Sequence, residues 1–277
     1  MDYVIPVYIM LGDDLIVGNH CDETFTGALE SPTLTNTARV SGQKIYNRAT
    51  TSVEAYNAHD NSNTSGTAPA APHAAGPEFS LTQKLYARHS STGFVIVKRG
   101  SNSSTLIANG TTYSAGTGGR WSKSYASTEH YDELGTDISN AFDDINTTLG
   151  KQAEVMGFFV SLGTHDQTVD GGGDLFTTEL PTFVQNLRTD YGTHTTGKAT
   201  PVIWRRPALS ASGALSAEAT KIRTALAKRA AADTQFRVLD ADDIELASDN
   251  LSEVATGTIT IGQRYDNELN RIALPNC

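Results

Sequence analysis

Five short runs of apolar, largely β-branched residues punctuate the chain: Val4 to Leu11, Gly93 to Val97, Val155 to Leu162, Pro201 to Trp204 and Phe236 to Leu239. Each is nearly continuous in its apolar character. That is the pattern of strands covered on both faces of a parallel sheet, since half-buried strands would alternate. Helical spacing fills the intervals. "DLFTTELPTFVQNLRTDYG" sets Leu175, Phe176, Leu180, Phe183, Val184 and Leu187 on one stripe, with Pro181 tolerable near a helix start. "SAEATKIRTALAKRAAAD" carries Ile222 and Leu226 on one face, and "HYDELGTDISNAFDDINTTLG" spaces Leu134, Ile138, Phe142 and Ile145 by three and four. Strand alternating with helix predicts a three-layer α/β sandwich around a doubly wound, mainly parallel five-stranded sheet of flavodoxin-like type.

Two segments break the rhythm. Residues 24–75 and 100–127 are polar or Ala/Pro-rich and lack periodicity, so they read as long loop insertions in a single domain spanning 1–277. Both leave the C-terminal end of an expected strand, the edge where open α/β sheets bind ligands.

Composition narrows the partners. A net charge of −10 over 277 residues excludes a nucleic-acid face and an anionic membrane surface, both of which require clustered cations. No apolar run is long enough to span a bilayer. The N-terminus reads as a first core strand, without the basic start or cleavage site of a signal peptide, so the chain is expected to be made in the cytoplasm. Cys21 and Cys277 make neither a metal cluster nor a disulfide framework.

The chemistry-bearing stretches fall into a recognisable order. "VYIMLGDDLIVGN" is an apolar strand that runs into a tight turn and a short helix. "GPEFSLTQKLYAR", "FVIVKRGSNSSTL", "GFFVSLGTHDQTVDG" and "FRVLDADDIELASDNLSEVATGTITIGQRYDNEL" follow. Together they resemble the sequence blocks of the SGNH (GDSL-type) hydrolases, in the carbohydrate acetylesterase branch related to sialate O-acetylesterases, over nearly the whole chain. That branch reads Gly-Gln-Ser-Asn-x-x-Gly in its first block; here Gly12 and Gly18 keep their places while Asp13, Asp14 and Leu15 replace Gln, Ser and Asn. The resemblance implies ester hydrolysis by a serine, a histidine base and an aspartate, with an oxyanion hole of backbone and side-chain donors. Carried across, the nucleophile position is Asp14, the oxyanion glycine falls on Asn102 or Ser103, and the third-block donor position is His165. The triad aspartate is Asp249, and the histidine position is Ser252.

The resemblance thus implies a degenerate pocket of Asp14, Asn102, Ser103, His165, Asp249 and Ser252, with no catalytic set and no cofactor. A carboxylate attacking an ester would form an anhydride less stable than the ester itself, and a serine at position 252 cannot shuttle the proton at neutral pH. Asp13 and Asp14 also suit the start of a helix. Asp14, His165 and Asp249 would make a plausible cation set, although nothing in their spacing demands a metal, and none is expected. "DADDIE" lacks the spacing of a calcium loop and reads as a solvated acidic turn. "GGGD" starts a helix, Lys221, Arg223, Lys228 and Arg229 form a solvated face, and Trp121 packs rather than stacks on sugar.

The expected role is therefore a catalytically inactive SGNH-hydrolase-like protein used for structure or binding. Its Thr-, Ser-, Asn- and Gly-rich connections suit a bacteriophage virion component, such as a capsid decoration, neck or tail-associated subunit. Its partners are then other proteins of the assembly, including copies of itself, and a weakly bound glycan. The competing reading is an active carbohydrate O-acetylesterase with a relocated nucleophile. Ser101, Ser103 or Ser104 would attack, and His130 or His194 would serve as base.

Overall fold

The computed structural model describes residues 4–17, 43–48, 50–55, 76–101, 103–107, 119–124, 129–192, 199–207, 216–244 and 255–273. The five apolar runs are strands β1 (Val4–Gly12), β4 (Phe94–Gly100), β5 (Gln152–Ser161), β6 (Val202–Arg205) and β7 (Phe236–Leu239). All five pair in parallel, and with β2 (Gln43–Asn47) and β3 (Ser52–Ala55) at one margin the sheet order is β3-β2-β4-β1-β5-β6-β7.

The sheet has seven strands rather than five. The two additions, β2 and β3, lie inside the segment expected to be a loop. β2 joins β4 in parallel, and β3 closes the edge antiparallel to β2. Their sequences, QKIYN and SVEA, are short and half polar because they occupy a sheet margin where little apolar cover is needed. Val53 N–H, on β3, donates to Asp144 Oδ2 at 2.6 Å.

Helices cover both faces. α1 (Asp14–Val17) follows β1 directly. α2 (Glu78–Arg88) and α6 (Ala255–Ala273) pack on one face, and α3 (Glu129–Leu149), α4 (Gly172–Asp190) and α5 (Ala217–Ala232) on the other. Alternate residues of β1 supply the two cores. Val7, Ile9 and Leu11 meet the three-helix layer, while Tyr8 and Met10 meet the two-helix layer. The expected stripe on α4 is buried except for Leu175, the one large apolar side chain exposed among the described residues, at 40%. Pro181 lies within α4 rather than near its start, on an exposed position where solvent can satisfy the carbonyl it orphans. Ser216 caps α5, its Oγ accepting Ala219 N–H at 3.0 Å.

Charged residues penetrate this core at the end of β4. Lys98 Nζ donates to Glu78 Oε1 at 2.7 Å, with both side chains at 1% exposure or less. Glu78 Oε1 also accepts Gly76 N–H at 2.8 Å. On the opposite face Arg99 meets Asp137 at 3.0 Å and also Glu133, and Arg48 reaches the same Asp137. These pairs clamp α2 and α3 to the two faces of one strand, and each buried charge has its counter-charge. On the two-helix face, Tyr8 Oη and His89 Nε2 share a 2.7 Å hydrogen bond. Burial and the neighbouring Arg88 lower the His89 imidazole to about 4, so it is neutral near pH 7.

Candidate functional site

The elbow after β1 is built by steric necessity. Gly12 has φ +152°, and a Cβ there would lie 2.1 Å from the carbonyl oxygen of Ser161. Without that side chain the three central strands can be stitched together at their ends. Asp13 N–H donates to Ser161 O at 2.9 Å, and Ser101 N–H donates to Gly12 O at 3.0 Å. Asp14 is then the first residue of α1, and Ile16 N–H donates to Asp13 O at 3.0 Å.

Asp13 itself is buried, at 1% exposure, and its Oδ1 accepts the Ser161 hydroxyl at 2.8 Å. Further polar groups continue this layer. Arg205, also buried, donates to Thr164 Oγ1 at 2.9 Å, and Tyr265 Oη donates to Val160 O at 3.1 Å. Complete burial pushes the Tyr265 phenol well above its ordinary range; Arg205 draws it down and Asp13 raises it.

The turn after β4 forms the next part of the edge. Ser101 and Ser104 are completely buried, whereas Ser103 is partly exposed and held at φ +57°. Ser104 Oγ accepts Trp121 Nε1–H at 2.9 Å and donates to Gly12 O at 3.5 Å. Trp121 is fully buried and lies against the buried His130 ring, with centroids 5.1 Å apart, so it packs and presents no face to a sugar.

The loop after β5 completes the edge. Gly163, at φ +113°, is closely surrounded by Pro207, Ile222 and Phe176. Thr164, the half-buried His165 and a 3-10 turn, Asp166–Thr168, follow. His165 O accepts Thr168 N–H at 3.2 Å and Thr168 Oγ1 at 2.8 Å. The buried carboxylate of Asp166 crosses to the β4 turn, accepting Leu106 N–H at 2.9 Å and Ile107 N–H at 3.3 Å.

Asp14, Ser103 and His165 therefore stand on the adjacent strand ends of β1, β4 and β5, beside the strand-order reversal where α/β sheets open a crevice. The Asp14 side chain, Asn102, Asp249 and Ser252 lie outside the described residues, as does His194. Of the relocated-nucleophile candidates, Ser101, Ser104 and His130 are buried and Ser103 is partly exposed. Among the described residues no group of three or more His, Cys, Asp or Glu converges as a metal site.

Two surface expectations gain detail. Asp240 and Asp243 of "DADDIE" are well exposed, and with Asp242 they also meet arginines. Arg206 reaches Asp240 and Asp242, Arg223 reaches Asp242, and Arg264 pairs with Asp243 at 2.6 Å. Arg223, Lys221 and Arg229 are correspondingly engaged, the last two with Glu218 and Asp233. Asp166 and Arg205 are not singled out by the sequence, and Asp13, read there as a helix start, is instead a buried partner of Ser161. The only sequence signal of the three is a charged residue at the end of an apolar strand or just beyond it.

No family model and no curated protein matches this sequence. Solved structures do match over nearly the full chain. A protein from Arabidopsis thaliana superposes with TM-score 0.66 at 13% identity, covering 97% of this chain and 99% of that one. NanS gives 0.61 at 11% identity, covering 100% of both chains. A carbohydrate acetylesterase family member from Sinorhizobium meliloti gives 0.52 at 10% identity, covering 97% and 99%. The chain thus shares the α/β fold of these structures, a likeness of architecture at low sequence identity.

Proposed function

We propose that this chain is a catalytically inert SGNH-hydrolase-like protein that binds glycan at the C-terminal edge of its sheet and serves a structural role in a larger assembly. The observation that carries the reading is the elbow. Gly12 and a strand-to-helix turn build it, and α1 begins at Asp14, the position to which the family resemblance assigns the nucleophilic serine. A carboxylate there offers no productive route to an acyl-enzyme, and the sequence puts serine, not histidine, at position 252. Two neighbours of this fold, named as a carbohydrate acetylesterase family member and NanS, support a carbohydrate as the ligand.

The assembly we infer is a bacteriophage virion, with other virion proteins and copies of this chain as partners. The Thr/Ser/Asn-rich connections support that part of the reading. A glycan array read in parallel with product analysis tests the binding role, and mass spectrometry of purified particles tests the location. The reading expects retention of glycans with no acetate released, and the protein in particles at stoichiometric levels. Acetate release from bound glycans, or a protein found only free of particles, contradicts it.

A further inference from the structure

The turn after β4 and the loop after β5 lie 60 residues apart in sequence, yet one carboxylate joins them. Asp166 is completely buried and directly follows His165. Its oxygens take two successive backbone amides, those of Leu106 and Ile107. An anion seated against consecutive N–H groups is the arrangement of a backbone nest, filled here by the protein's own side chain. The turn is fixed from other directions as well. Ser101 N–H is tied to Gly12 O, Ser104 Oγ to Trp121 Nε1, and Trp121 N–H donates to Thr105 O at 3.0 Å.

Between these fixed points Ser103 is held in left-handed backbone, which a residue with a Cβ adopts only when its surroundings over-determine it. It is also partly exposed, while Ser101 and Ser104 on either side are sealed. The pinned turn therefore presents this one serine, and the same carboxylate that pins it is covalently adjacent to His165.

We propose that Asp166 is the positioning residue of the binding edge: by holding the Leu106 and Ile107 amides it keeps Ser103 left-handed and fixes its separation from His165, so that the two meet a neutral, acyl-bearing sugar as one rigid wall. This rests on the reading of the edge as a glycan site. The sugar is neutral because Asp13 and Asp14 stand at the elbow of a chain with net charge −10, which disfavours an anionic ligand.

The test compares Asp166→Ala, Asp166→Asn and Ser103→Gly with the unaltered chain. One readout is amide hydrogen exchange at residues 103–107, with β6 as internal control; the other is equilibrium binding of an O-acetylated N-acetylhexosamine. In Asp166→Ala, exchange at Leu106 and Ile107 should accelerate at least tenfold while β6 is unchanged, and sugar affinity should fall at least tenfold. Asp166→Asn keeps one acceptor oxygen and should fall between, which guards against a variant that fails to fold. Ser103→Gly should keep the turn protected and raise the thermal midpoint, because glycine adopts this backbone freely, yet should weaken sugar binding through loss of the hydroxyl. Unchanged exchange at Leu106 and Ile107 in Asp166→Ala overturns the proposal, and so does full affinity once that protection is lost. If the unaltered chain ignores the sugar, the glycan reading fails, and the exchange comparison still decides whether Asp166 sets the turn.

Discussion

The turn after β4 and the elbow after β1 lie side by side on one edge of the sheet, and their contents differ. The turn is crowded with fixed polar contacts: Asp166 on two amides, Trp121 on Ser104, and the buried Lys98–Glu78 and Arg99–Asp137 pairs just beneath it. The elbow keeps its glycine and its stitching to both neighbours, but the residue that opens its helix is an acid. The comparison separates shape from chemistry. Shape at this edge is enforced by packing and buried hydrogen bonds, so its loss would destabilise the whole domain. At residue 14 the backbone opens α1, and the side chain lies outside the described residues.

The largest effect should come from the support beneath the turn. Lys98→Met leaves the Glu78 carboxylate buried without its counter-charge and should destabilise the chain by about 3–5 kcal/mol, measured by urea denaturation. Adding Glu78→Gln should recover part of that loss, because Gln still accepts from Gly76 N–H. A single variant no worse than a surface change would break the contrast. Gly12→Ala comes next. Its Cβ meets the Ser161 carbonyl, so either β1 or β5 must shift, for about 2–3 kcal/mol by the same assay.

A smaller, pH-dependent effect belongs to His89. Its folded value of about 4 lies below the ordinary 6.5, so the unfolded chain takes up the proton first as pH falls. Its contribution to stability is therefore complete above pH 6.5, declines between about 6.5 and 4, and is flat below. Comparing the unaltered chain with His89→Gln across that window should show their stability difference changing by about 1 kcal/mol, a figure reduced for the ring's partial exposure. A constant difference would remove His89 from the account. The smallest effect is expected at the elbow acid: Asp14→Ala should alter stability by less than about 0.5 kcal/mol.

The sheet's centre was legible in the sequence because strands covered on both faces must be apolar throughout, as Val7 to Leu11 and Phe94 to Val97 are. β2 and β3 were not, because Lys44, Asn47 and Glu54 sit on a margin that solvent reaches, and polar residues there look like loop. For the candidate site the sequence offered an order of blocks. That order placed Asp14, Ser103 and His165 on neighbouring strand ends. What escaped was the support. Asp166 reaches residues 60 positions away, and Arg205 finds Thr164 across 41, distances that no local pattern encodes. Lys98 and Arg99 carried a hint, since two cations inside an apolar strand require buried partners.

The central claim is that this edge retains the form of an esterase site without its chemistry. The direct measurement is hydrolysis of an aryl acetate and of an O-acetylated sugar by the unaltered chain, alongside Asp14→Ala and Ser103→Ala. The account predicts rates for all three that match buffer alone. Turnover by the unaltered chain that disappears in either variant would contradict it.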